Sequence, residues 1–317
     1  MDNDFFNSIG QNPPTNPALG CLLSPGADVA TGGLPAKAFG IDGRRERQHS
    51  GWREAIGRKF STEQWRRAVN PTVSEIFNAA GLAWRDTRHV FDAIFNKVVI
   101  AFTITIITSA LYMTPALMPR GTSSFLLVML VILTTAVQAF LITPYFIAVH
   151  RFIILGEVTT NYLLTPGEPR FLRFFGWLLV FFALTFVAFL LPLALPISTV
   201  FRLAIQAVLV IVAIVVGLRV IILLPAVAVD APGASWSGAM ADTSGYSWRI
   251  LFIVLLATLP LVFVRVIVGR TLGDLGGIAA ISVPIFNGAM RAIGYTLGIV
   301  IASRLYERLG DRVKQPV

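Results

Sequence analysis

The chain has 317 residues, 55% of them hydrophobic and only 14% charged, with a formal net charge of +9. Soluble domains average about 25% charged residues, so the composition excludes an ordinary water-borne fold. Cys21 is the only cysteine, which excludes an intrachain disulfide.

Residues 1–60 read as a disordered basic tail. The first 43 are rich in Gly, Pro, Asn and Ala and show no sustained period. The box Ala18-Leu19-Gly20-Cys21 has the form of a lipoprotein cleavage site. Ser8 to Pro17 are polar and proline-rich, however, and lack the apolar core of a signal peptide. Residues 44–67 then hold eight basic side chains (Arg44, Arg45, Arg47, Arg53, Arg58, Lys59, Arg66, Arg67) against three acids. Beside a membrane, such a stretch is drawn to anionic lipid by about 1 kcal/mol per Lys or Arg. Nucleic acid is the rival partner, but no aromatic interleaving or binding fold supports it.

From 61 to 97 the pattern turns helical. Ser61 with Gln64, and Thr72 with Glu75, have capping-box spacing, and Pro71 suits a first helical turn. Val73, Ile76, Phe77, Ala80, Val90, Phe91, Ile94 and Phe95 recur at three- and four-residue steps. This predicts an amphipathic helix at the membrane surface, or one packed on the protein's own loops.

Six apolar runs follow, drawn at 98–118, 125–149, 174–198, 204–228, 249–268 and 278–302. About 20 residues of helix cross a bilayer core, and backbone inside lipid must satisfy itself by being helical. The expected fold is therefore all-α: a polytopic transmembrane bundle of six helices over 98–302. An interfacial helix precedes it, and a tail at 303–317 follows. Arg151, Arg170, Arg173, Arg249, Arg304, Arg308, Arg312 and Lys314 lie in or beside loops of one side. The opposite loops carry Arg120, Arg202 and Arg270. The positive-inside rule then puts both termini in the cytoplasm. Tyr112, Tyr145, Trp177, Trp248 and Tyr306 fall near span ends, as in an aromatic belt. Pro144 to His150 and Pro225 to Asp230 each precede a semi-polar loop and an aromatic-and-arginine entry, an echo of a duplicated hairpin.

Catalytic signatures are missing: no phosphate loop, no His-Glu-x-x-His, no Gly-x-Ser-x-Gly. His49, His89 and His150 are far apart, and His150 beside Arg151 reads as a membrane boundary. The drawn spans contain no Asp or Glu, the groups proton-coupled carriers use. Their ionisable residues are Arg219, Arg265 and Arg291. Arg265, near a span end, reads as snorkelling to the interface. Arg219, Asn287 and Arg291 are the candidates for an anionic ligand, Asn287 and Arg291 sharing one helix face. The competing reading pairs these arginines with carbonyls or with Gln138 and Gln206. Pro284, Asn287 and Gly288 interrupt the sixth span, compatible with a kink or two half-helices. Gly269, Gly273 and Gly277, then Gly294 and Gly298, recur every four residues, which predicts close helix packing or homodimerisation.

Four segments carry a resemblance: Ala148 to Glu157, Pro225 to Asp230, Ser247 to Ile250, and Ala302 to Arg308. They resemble six-helix inner-membrane proteins of alphaproteobacteria. More distantly, residues 95–308 are similar to the membrane domain fused to some glycerophosphodiester phosphodiesterases. That resemblance implies architecture and localisation, and no catalytic residue comes with it. The function expected is a non-catalytic scaffold, assembly or lipid-contacting protein without cofactor or metal. A permease for an anionic solute or headgroup is the alternative.

Overall fold

The computed structural model describes residues 73–112, 124–159, 161–194, 198–274 and 279–315. Every regular element among them is an α-helix. In chain order these are α1 (Val73–Ala93), α2 (Phe95–Leu111), α3 (Ser124–Leu155), α4 (Pro169–Ala194) and α5 (Thr199–Val220). Then come α6 (Leu223–Ala228), α7 (Trp236–Asp242), α8 (Ser247–Asp274) and α9 (Ala279–Leu309). Five of them, α3, α4, α5, α8 and α9, are long and apolar enough to cross a membrane. The pair α1–α2, bent by 103°, makes a sixth when counted as one. This is an all-α polytopic bundle. Residues 1–72, with the tail, Cys21, the whole basic stretch at 44–67 and the capping positions Ser61, Gln64, Pro71 and Thr72, lie outside the described residues.

The sequence of α1 explains its placement. Ala79, Ala80, Ala83, Asp86, Thr87 and Val90 form one buried stripe, while Arg85 and Arg88 stay exposed. Small side chains on that stripe let α1 lie close against α8 and α9. The Trp84 indole N–H donates to the Ala257 carbonyl at 2.9 Å and fixes the register on α8. Trp84→Phe keeps an aromatic ring, though a smaller one, and removes that bond. The expected cost is about 1 kcal/mol, read as a lower unfolding midpoint in detergent.

The core is uneven along the spans. Tyr145, Phe146, Val149, His150 and Phe152 of α3 are buried, and so are Leu297, Val300, Ile301, Leu305 and Tyr306 of α9. Leu126, Met129, Ile132, Leu133 and Val137, at the other end of α3, are exposed apolar residues. We call the densely packed end, which also carries α1, α6 and α7, the lower end. Apolar exposure elsewhere is what lipid-facing helices require. In α5 only 11% of the apolar window is buried, against 44% in α9, so α5 is peripheral and α9 central.

Several boundaries differ from those expected. The run drawn at 204–228 is two helices: α5 stops at Val220, and α6 is a separate turn-and-a-half with Leu223, Pro225, Ala226, Val227 and Ala228 all buried. The sixth span is one helix with Pro284 inside it near its start, rather than two half-helices. The C-terminal tail drawn from 303 starts later, because α9 runs on to Leu309 and the described chain turns back through residue 315. The Asp242 carboxylate accepts from the N–H groups of Arg312 (2.9 Å) and Val313 (3.1 Å), and Val313 is fully buried. The aromatic belt is partial: Trp248 is exposed, while Tyr145 and Tyr306 are core residues.

Candidate functional site

Polar chemistry concentrates in two places. The first is a layer at the lower end, built from the ends of several helices. Gly156, at φ +67, terminates α3 in the left-handed conformation that favours glycine. That turn swings Glu157 back onto Arg151, whose Nε and Nη2 donate to its two oxygens at 2.7 and 2.8 Å. Asp230, also left-handed at φ 54, aims its carboxylate at Arg151 (3.8 Å) and Arg170, with which it forms a close ion pair. Aspartate is among the residues that tolerate this conformation.

Arg304 of α9 reaches both ways. Its Nε donates to Asp86 of α1 at 2.8 Å and its Nη1 to Glu307 at 2.9 Å. The Asp86 side chain is 2% exposed, so its charge depends on that arginine. The buried Lys97 ammonium donates to Thr159 Oγ1. His150 Nδ1 lies 2.7 Å from Ser303 Oγ, both side chains buried. A serine beside a histidine invites a nucleophile–base reading. Yet Ser303 Oγ also donates to the Ile299 carbonyl at 2.9 Å, which leaves Nδ1–H as the donor to Oγ. An activating base needs the reverse polarity. Tyr162, in the loop after α3, donates its hydroxyl to the Leu141 carbonyl. Burial pushes that phenol above its ordinary range, so it stays protonated.

The four segments that carry the resemblance meet here or border this layer. Sequence reasoning took their arginines as topology markers and missed their partners. Two signals were readable. Glu307 stands at i+3 from Arg304, and Asp86 is the one acid on the small-residue stripe of α1. The Asp86–Arg304 and His150–Ser303 pairs join residues 218 and 153 positions apart and leave no local trace.

The second place gathers residues of α3, α8 and α9 with Tyr112, which caps the end of α2. Arg291 puts its guanidinium 4.8 Å from the centre of the Tyr112 ring. Tyr112 Oη is 2.7 Å from Thr135 Oγ1 and donates to Gln138 Oε1 at 3.4 Å. Arg265 Nε donates to Asn287 Oδ1 at 3.2 Å. An arginine at the bilayer centre costs about 2.5–3.5 kcal/mol on insertion scales.

Of the three expected anion-binding residues, Asn287 and Arg291 belong to this place. Arg219 does not. Because α5 ends at Val220, Arg219 occupies its last turn, donating to the Met240 carbonyl of α7 at 3.3 Å. Its own carbonyl accepts from Thr243 Oγ1 at 2.6 Å. A cation there also complements the helix C-terminus. Arg265, expected to snorkel, is exposed and also donates to Asn287.

The packing glycines also differ from expectation. A Cβ at Gly269 or Gly298 would meet nothing within 4 Å, and one at Gly294 would make an ordinary 3.9 Å contact with Leu261. Gly273 and Gly277 lie outside the residues whose surroundings are described. The close approach is at Gly288, where a Cβ would stand 2.5 Å from Ile106 Cα. Among the described residues no three His, Cys, Asp or Glu side chains converge as metal ligands. A groove of about 280 Å³ between α1 and α8 is lined by Ile76, Phe77, Phe252, Leu255, Leu256 and Leu259, and touches none of the arginines. No protein family, curated protein or solved structure matches this chain.

Proposed function

We propose that this protein is a non-catalytic scaffold of a bacterial inner membrane, contacting anionic lipid and partner proteins, with both termini cytoplasmic. One observation carries the reading. The side chains at the lower end best able to do chemistry are spent on one another: His150 on Ser303, Arg304 on Asp86 and Glu307, Arg151 on Glu157 and Asp230. Groups held this way set helix register, and removing one leaves a buried partner uncompensated. The cytoplasmic side is supported by Arg151, Arg170, Arg304 and Arg312, whose contacts all belong to that end.

The full chain in detergent, treated with a fluorophosphonate probe, tests this. We expect Ser303 to stay unlabelled and Ser303→Ala to lower the unfolding midpoint, by about 1 kcal/mol. Labelling of Ser303 would replace the scaffold with a serine hydrolase. Lipids and proteins recovered together from native membranes would then name what the scaffold holds.

A further inference from the structure

Arg265 and Arg291 differ from the arginines of the lower end. Arg151, Arg170 and Arg304 each have a carboxylate. Among the described residues, Arg265 and Arg291 have none. They are nevertheless joined. Arg265 holds Asn287, and Asn287 lies one helical turn from Arg291 on the same face of α9.

A second, independent observation points the same way. The Gln138 side chain is 1% exposed, and its Nε2 donor makes no hydrogen bond. An orphaned buried donor calls for an acceptor. Gln138 Oε1 accepts from Tyr112 at 3.4 Å, and the Tyr112 ring lies against Arg291. The site therefore offers two guanidinium forks and an amide N–H, and its described groups supply no anionic acceptor. Arg265 opens it outward: it is exposed amid Val262, Phe263, Val264, Val266 and Ile267, an apolar lipid-facing surface.

We propose that Arg265, Arg291 and Gln138 form a binding site for a phosphate-bearing anion, entered from the lipid-facing side of α8. Guanidinium forks match phosphate oxygens bidentately, and the neutral amide fits a third oxygen. The inference rests on the lipid-contacting part of the proposed function and assigns it a location. A lipid headgroup and a free phosphate present the same chemistry to these residues.

The experiment uses the full chain in nanodiscs of mixed phosphatidylglycerol and phosphatidylcholine, with retained lipid read by native mass spectrometry. In parallel, the unfolding midpoint in pure phosphatidylcholine discs is compared in inorganic phosphate and in chloride at equal ionic strength. We expect selective retention of phosphatidylglycerol, reduced about tenfold or more by Arg265→Gln and by Arg291→Gln. Arg219→Gln should leave retention unchanged. Should phosphate raise the midpoint, with both variants abolishing that effect and no lipid selectivity, the same site takes a soluble anion. Arg265→Gln alters a lipid-exposed position and keeps the test valid should Arg291→Gln fail to fold. Unchanged lipid retention and unchanged phosphate response in folded Arg265→Gln would overturn the site. Partner proteins recovered with that variant would still stand for the scaffold, so the two readings fail separately.

Discussion

Arg304→Gln is expected to lower stability by about 3–5 kcal/mol, the cost of stranding a buried charge. The reasoning starts from Asp86, whose side chain is 2% exposed and whose oxygen accepts from Arg304 Nε at 2.8 Å. Glutamine cannot neutralise that carboxylate, and Glu307 loses the same cation. Asp86→Asn should cost less, because it removes the stranded charge and keeps an acceptor. The double variant should therefore be more stable than Arg304→Gln alone. Thermal unfolding of all three in one detergent gives the coupling energy, and additive losses would contradict the ion pair.

Gly288→Ala is the second large effect. The added methyl would stand 2.5 Å from Ile106 Cα and 2.8 Å from Ile106 N, both backbone atoms that cannot rotate away. Overpacking of this kind costs about 1–3 kcal/mol. Gly298→Ala, with nothing within 4 Å, should stay within about 0.5 kcal/mol of the parent. A reversed order of the two midpoints would mean that α2 and α9 do not meet at Gly288.

These two sites mark where sequence reasoning reaches and where it stops. The spans and the amphipathic α1 are legible because length and periodicity are properties of the chain itself. Glycine spacing is equally visible, but it names a stripe without saying whether a neighbour faces it. Gly294 and Gly298 keep the expected four-residue step, yet Gly288, read as an interruption, receives Ile106. The break after Val220 has no punctuation. Gly217 lies inside α5, Pro225 lies inside α6, and apolar residues continue across the turn. Missing that break carried Arg219 toward the middle of a span whose last turn it occupies. The Arg265–Asn287 bond was illegible for a related reason: one helix cannot reveal which residue on its neighbour offers an acceptor.

The 103° bend ahead of α2 sets a mechanical rule for the region before it. Past that corner, α1 is riveted to α8 through Trp84 and Ala257 and to α9 through Asp86 and Arg304. Tension on the leading segment is thus shared between two neighbouring spans rather than passed straight into α2. Peeling α1 away strains both rivets, so a pull on it is resisted as shear of α1 against α8 and α9.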